Sequence, residues 1–177
     1  MKDWKRGFTL VELSIVLLVI GLVLGIVVPR FQSFLEVDLK SASRRLAGAI
    51  KYTYDRAIFT HNTMRLFMDL KENTYWTEVC ANVTAEACEW VADSSDLGKK
   101  IKLPRGISFR DIFINGEEVE ATAVALHFYP SGFVIPSTIH LWDGKEDHTL
   151  SLIINSVTGK ADIYEGYKIE VKKFDFE

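Results

Sequence analysis

The chain has 177 residues, 48% of them hydrophobic and 25% charged, with a net charge of −3. That length holds one domain with a real core, or one domain and an appendage. The composition excludes a disordered chain, a collagen-like repeat and a disulfide-dense scaffold, and the charge balance excludes a generally basic nucleic-acid coat. A mean hydropathy of +0.08 is slightly high for a soluble domain and far too low for a polytopic membrane protein.

The apolar excess is local. Residues 8–28 contain a single charge, Glu12, in an otherwise almost wholly apolar run. As a helix the run is about 31 Å long, matched to the hydrocarbon core of a bilayer, and it has no polar face. It reads as one membrane span. The leader, residues 1–7, sets Lys2, Lys5 and Arg6 against Asp3. By the positive-inside rule the leader stays in the cytoplasm and the chain beyond Val28 crosses to the other side. No small-x-small site ends the run, so it departs from a secretory signal peptide. A plain uncleaved anchor explains neither Gly7 nor Glu12.

Glu12 is the most informative residue. An ionised carboxylate in the hydrocarbon region costs about 2.5–3.5 kcal/mol on insertion scales, so it calls for a cation or for snorkelling to the interface. Cleavage after Gly7 would turn the α-amine of Phe8 into such a cation. Phe8 and Glu12 stand four apart, on one helix face. Gly21 and Gly25, also four apart, admit two readings: close helix packing, or local melting of the helix. Pro29 removes a helical hydrogen bond and predicts a kink.

Beyond the span, Leu35, Leu39, Ala42, Leu46, Ala49, Ile50, Thr53, Ala57 and Ile58 recur at three- and four-residue steps. This predicts an amphipathic helix over 31–61, with Lys40, Ser43, Arg44, Lys51 and Asp55 on the opposite face. The whole spine would be about 80 Å long. From Met64 onward short strands are expected at 64–70, 74–80, 107–114, 122–129, 139–142, 149–155 and 160–164, separated by turn signals such as Asn115-Gly116 and Asp143-Gly144. The expected fold is α+β: a long N-terminal helix, half of it in the membrane, packed on an antiparallel β head.

Arg6-Gly7-Phe8-Thr9-Leu10-Val11-Glu12 resembles the processing motif of type IV pilins and type II secretion pseudopilins. The match requires a basic leader, a Gly, an aromatic residue and an intramembrane Glu to fall in register. Pro29 lies where the helices of this family commonly bend. The resemblance implies cleavage between Gly7 and Phe8 by an inner-membrane prepilin peptidase, N-methylation of Phe8, and a role for Glu12 in drawing the subunit into a filament. It divides the chain into a leader (1–7), an assembly half-helix (8–30) and a periplasmic head (31–177).

The head narrows the resemblance to the H-type minor pseudopilins. It carries, in their order, Tyr75-Trp76-Thr77-Glu78, Leu103-Pro104-Arg105-Gly106-Ile107, Phe128-Tyr129-Pro130-Ser131-Gly132 and Thr158-Gly159-Lys160. The implied function is structural, as a subunit of the periplasmic pseudopilus of a type II secretion system. The implied partners are the major shaft subunit, the tip-complex minor subunits, the prepilin peptidase and methyltransferase, and the inner-membrane assembly platform. The implied location is the bacterial inner membrane, single-pass, with the N-terminus cytoplasmic.

Two other function classes are weighed beside it. One is a type IV pilus minor pilin that starts assembly or takes up DNA. Its cations would be Lys99, Lys100, Lys102, Arg105, Arg110, Lys172 and Lys173, for which a solvated face is the simpler reading. The other is a membrane-anchored periplasmic enzyme. No Rossmann fingerprint, P-loop, nucleophile elbow or paired metal spacing supports it, so no catalytic residue, cofactor or metal is expected. Cys80 and Cys88, in the exported part, are a candidate disulfide. His61, His127, His140 and His148 are scattered, although His140 and His148 could meet across a hairpin.

Overall fold

A computed structural model describes residues 9–83, 88–145 and 148–169, without the side chains of 25–37 and 83. The described chain forms two compact units, divided between Leu35 and Glu36. Helix α1 (Leu10–Thr60) supplies the first unit and enters the second. It is followed by β1 (Met64–Asp69), β2 (Thr74–Val83), β3 (Cys88–Ala92), β4 (Ile101–Lys102), β5 (Ser108–Ile114) and β6 (Glu117–Glu118). The chain continues through β7 (Ala123–Tyr129), β8 (Phe133–Val134), β9 (Ser137–Trp142), β10 (Thr149–Ile154) and β11 (Ala161–Glu165).

In the second unit α1 presents the expected stripe. Leu39, Ala42, Leu46, Ala49, Ile50, Tyr54 and Ala57 are buried at three- and four-residue steps. Ser43 departs from its expected place on the outer face: it is fully buried, and its hydroxyl donates to the Leu39 carbonyl at 2.8 Å. Thr53 does the same, donating to the Ala49 carbonyl at 2.7 Å, and its Oγ1 lies 2.9 Å from Thr77 Oγ1 on β2. Small hydroxyl residues can be buried in a helix because they bond back to the preceding turn.

The head is antiparallel β, as expected, and its strands divide into two sheets. The first runs β3-β2-β1-β7-β8, with β4 added on β2, and the second runs β11-β10-β9-β5-β6. Alternation decides which side faces in. In the first sheet Met64, Leu66, Met68, Tyr75, Val124, Leu126 and Phe128 point to the core, and in the second Phe109, Ile112, Ile139, Leu141, Leu150 and Leu152 do. Burial pushes the Tyr75 phenol up to about 12, with Arg45 opposing. The seven expected strands are present within a few residues of their expected ends. The additional β3, β4, β6 and β8 are short or exposed and carry little alternation for a sequence pattern to detect.

Turns follow their residues. Asn115 and Gly116 both take positive φ, 53° and 79°, as a two-residue hairpin turn of primed type requires. Helix α1 ends at Thr60, and His61 follows with φ of 54°.

Candidate functional site: the N-terminal assembly segment

The segment begins with a helix cap. Thr9 Oγ1 accepts the Glu12 amide at 3.2 Å, and the Thr9 carbonyl accepts the Leu13 amide at 3.1 Å. Thr9-x-x-Glu12 therefore has capping-box spacing, which places Glu12 in the first turn, where a carboxylate meets the positive end of the helix dipole. Thr9 is a contributor that attention to membrane charge alone overlooks. Its signal is the Thr three residues before the Glu.

Every described side chain from Thr9 to Leu24 is exposed. Leu10 is 83% exposed, and the exposed apolar side chains continue around all faces to Leu24. Among the described residues no helix is long and apolar enough to cross a membrane. The run 8–28 extends past the described side chains at both ends. A Cβ added to Gly21 would meet nothing within 4 Å. Gly7 and Phe8 lie outside the described residues, and Pro29 and Gly25 lie in the stretch whose side chains are outside them.

In the head, Cys80 on β2 and Cys88 on β3 are joined as a disulfide, with Cα atoms 5.6 Å apart. Their hairpin carries Trp90 across the outer face of the first sheet. There the Arg65 guanidinium lies 4.2 Å from the Trp90 ring centroid and pairs with Glu78, which also accepts from Trp76 Nε1 at 2.7 Å. His127 lies at the edge of Trp90, at 5.4 Å. Burial, with Arg65 nearby, lowers its pKa and favours the neutral ring.

A second cluster fixes the loop after β3 to the helix. Asp93 is buried and accepts from the Tyr52 hydroxyl at 2.7 Å, the Ser95 amide at 3.1 Å and the Ser95 hydroxyl at 3.0 Å, and it pairs with Arg56 at 3.2 Å. Burial pushes its pKa up, but these hydrogen bonds and the Arg56 charge outweigh that, so the carboxyl titrates below its ordinary value. Nothing in the residue pattern links Asp93 to the helix, because Tyr52 and Arg56 are 41 and 37 positions earlier, and only Ser95 is a local partner.

The other candidates disperse. His140 and His148 do not meet: His140 pairs with Asp111, and His148 pairs with Asp143 at 3.0 Å. Ser151, His140 and Asp111 share a row of the second sheet without forming a nucleophile–base pair. The Ser151 hydroxyl donates to the Gly166 carbonyl, and His140 Nε2 faces the Lys168 carbonyl. Lys99 pairs with Asp96, Lys100 lies over Trp76, and Arg110 lies over Trp142 and Tyr167. Lys99 and Lys100 share the loop before β4, Arg110 lies on β5, and Lys172 and Lys173 lie outside the described residues. Among the described residues no group of three His, Cys, Asp or Glu is placed to hold a metal.

Residues 5–28 match the prokaryotic N-terminal methylation motif. Two structures of the minor pseudopilin EpsH from the type II secretion system of Vibrio cholerae share the fold at 15% identity. One has a TM-score of 0.58 over 77% of this chain and 99% of that one, the other 0.55 over 72% and 97%. The type IV minor pilin FimU of Pseudomonas aeruginosa is 15% identical with a TM-score of 0.47 over 73% of this chain and 88% of that one, a likeness too slight to bear on the chain. No curated protein matches. The chain thus carries a prokaryotic N-terminal methylation motif, and its head shares the fold of the minor pseudopilin EpsH.

Proposed function

We propose that the protein is a minor pseudopilin of a type II secretion system. It would be cleaved between Gly7 and Phe8, methylated on the new N-terminus, held in the inner membrane by residues 8–30, and assembled with other pseudopilins into a periplasmic filament that helps export proteins. The observation that carries this reading is the methylation motif at residues 5–28, whose residues from Leu10 onward open helix α1, in a chain whose head shares the fold of the minor pseudopilin EpsH.

Glu12 supplies the directing charge. An amine on Phe8 of this chain or of a neighbour would neutralise a carboxylate that is costly in an apolar setting. Leu10 to Leu24, exposed in the single chain, supply the surface that lipid or neighbouring helices cover. The head requires no catalytic centre for this work.

The experiment is intact-mass measurement of the chain produced with and without a prepilin peptidase. Loss of residues 1–7 with addition of one methyl group supports the reading. An intact leader in the presence of an active peptidase overturns it. In a deletion strain, loss of exoprotein export with pilus-dependent motility unchanged assigns the secretion system. The reverse result assigns a type IV pilus.

A further inference from the structure

The outer face of the second sheet is polar yet buried. Thr138, His140, Thr149 and Ser151 alternate there with the inward apolar residues of β9 and β10, and each exposes 2% or less. The cover is the chain just after β11. Residues 166–168 cross the row Asp111, His140, Ser151, which strand register places side by side on β5, β9 and β10. This row binds main chain. The Ser151 hydroxyl donates to the Gly166 carbonyl at 2.7 Å and accepts the Lys168 amide at 2.8 Å. His140 Nε2 lies 2.9 Å from the Lys168 carbonyl, and the Gly166 amide donates to the Thr149 carbonyl at 2.8 Å. The Tyr167 ring stacks on the imidazole at 4.1 Å, and its hydroxyl donates to Asp111 at 3.2 Å.

The hydrogen bonds at His140 demand a proton. A carbonyl oxygen only accepts, so Nε2 carries a hydrogen. Nδ1 faces the Asp111 carboxylate, which when ionised also only accepts. A neutral ring with its hydrogen on Nε2 would aim a lone pair at that carboxylate. Both contacts are satisfied only while His140 and Asp111 together hold one proton more than a neutral imidazole and an ionised carboxylate. Among the described residues, few charged and titratable groups surround them. Arg110 lies 3.8 Å from Asp111 and 4.8 Å from the Tyr167 centroid. The Tyr167 phenol is raised by burial and by Asp111, with Glu118 adding to the effect. The Lys168 ammonium points away, over Tyr164 at 4.9 Å.

We infer that Asp111, His140 and Ser151 form a peptide main-chain receptor filled in cis, and that residues 166–168 are a strap fastened by the proton shared between His140 and Asp111. When that proton leaves, the strap loses its central hydrogen bond and its stacking partner shifts, while the sheet beneath keeps its own ladder. This inference is independent of the pilin-like reading.

The test is amide hydrogen exchange on the full chain in detergent micelles, corrected at each pH for the intrinsic rate. The range is about pH 6 to about pH 9, below the ionisation of Tyr167. Protection of the Gly166 and Lys168 amides is expected to fall at least about tenfold across this range while that of β9 and β10 amides holds. In Asp111→Asn the carboxamide can donate to Nδ1 and so accept the neutral ring. Strap protection there should be independent of pH. Wild-type protection of the strap that stays parallel to that of β10, or an Asp111→Asn variant that keeps the wild-type fall, overturns the inference. The wild-type comparison decides by itself if the variant does not fold.

Discussion

A Cβ on Gly159 would stand 2.1 Å from Cγ of Tyr54. The glycine, with φ of 61°, lies against the aromatic ring of a helix residue that is 105 positions earlier. The hydroxyl of Tyr54 reaches two loops at once. It lies 3.0 Å from the Gly132 carbonyl, in the turn between β7 and β8, and it also bonds the Val157 carbonyl, in the turn between β10 and β11. The end of α1 is thereby hooked to both sheets.

Gly159→Ala should therefore destabilise the head by about 2–4 kcal/mol, from the left-handed backbone and the overlap with Tyr54 together. Gly144→Ala is the control. Its φ is 85° but nothing lies within 4 Å of its Cβ, so only the backbone cost of about 1–2 kcal/mol remains. Urea titration of the two variants in detergent, followed by Tyr and Trp fluorescence, should rank them in that order. Equal losses would show that the Tyr54 contact yields without cost.

Tyr54→Phe keeps the ring and removes the hydroxyl. It should cost about 1–2 kcal/mol, because the Gly132 and Val157 carbonyls lose a buried donor. A double-mutant comparison with Gly159→Ala should give non-additive losses, since both changes disturb the seating of one side chain, Tyr54, against the turn between β10 and β11.

Acid should weaken the head in two separate steps. His127 has a folded pKa below its ordinary 6.5, so the unfolded chain binds the proton more readily and stability falls as pH drops from that value. Asp93 has a folded pKa below its ordinary 3.8, so its contribution is complete above that value and is lost as pH falls through the folded one. His127→Phe should remove the upper step and leave the lower one. Asp93→Asn should do the opposite. Thermal melting between about pH 3 and about pH 8 resolves the two windows.

Reduction of the Cys80–Cys88 bond, or the Cys80→Ser and Cys88→Ser pair, should lower stability by about 2–3 kcal/mol through release of a short closed loop. The outer face of the first sheet should respond first, because the hairpin that carries Trp90 over Arg65 is freed. Trp fluorescence should red-shift before far-ultraviolet circular dichroism changes. A simultaneous change of both signals would mean that the hairpin and the sheet unfold as one.

At the N-terminus, Gly7→Leu should leave the leader attached, and Glu12→Leu should permit processing while weakening recruitment into filaments. Immunoblots of membrane and sheared-filament fractions read both effects. Normal filament incorporation of Glu12→Leu would refute the directing role of the carboxylate.

Much of this was legible in the residues, and the remainder has identifiable causes. The buried stripe from Leu39 to Ala57 was readable because apolar residues repeat with the helical period. Ser43 broke the pattern because a hydroxyl bonded to its own helix is as buryable as an alanine. The turns at Asn115-Gly116 and Gly159 are legible because few residues tolerate positive φ. The Phe-Tyr-Pro-Ser-Gly and Thr-Gly-Lys motifs gain their meaning from Tyr54, a convergence of segments no local window contains. The clusters around Asp93 and His140 were hidden for the same reason, since their partners are joined by sheet register and helix docking. The division of the strands into two sheets depends on which edges pair, and alternation alone does not specify pairing.

The exposed side chains from Leu10 to Leu24 have a further consequence. Water is the one environment they must leave, and lipid tails and the helices of neighbouring subunits relieve that exposure about equally, since hydrocarbon is as apolar as leucine. Under the proposed function, transfer of the segment from bilayer to filament would then be nearly balanced in its apolar part. Its direction would fall to small asymmetric terms: the Glu12 carboxylate, the amine that cleavage would create, and the closeness of approach at a glycine. A lever so finely balanced can be tipped either way by a modest input of work.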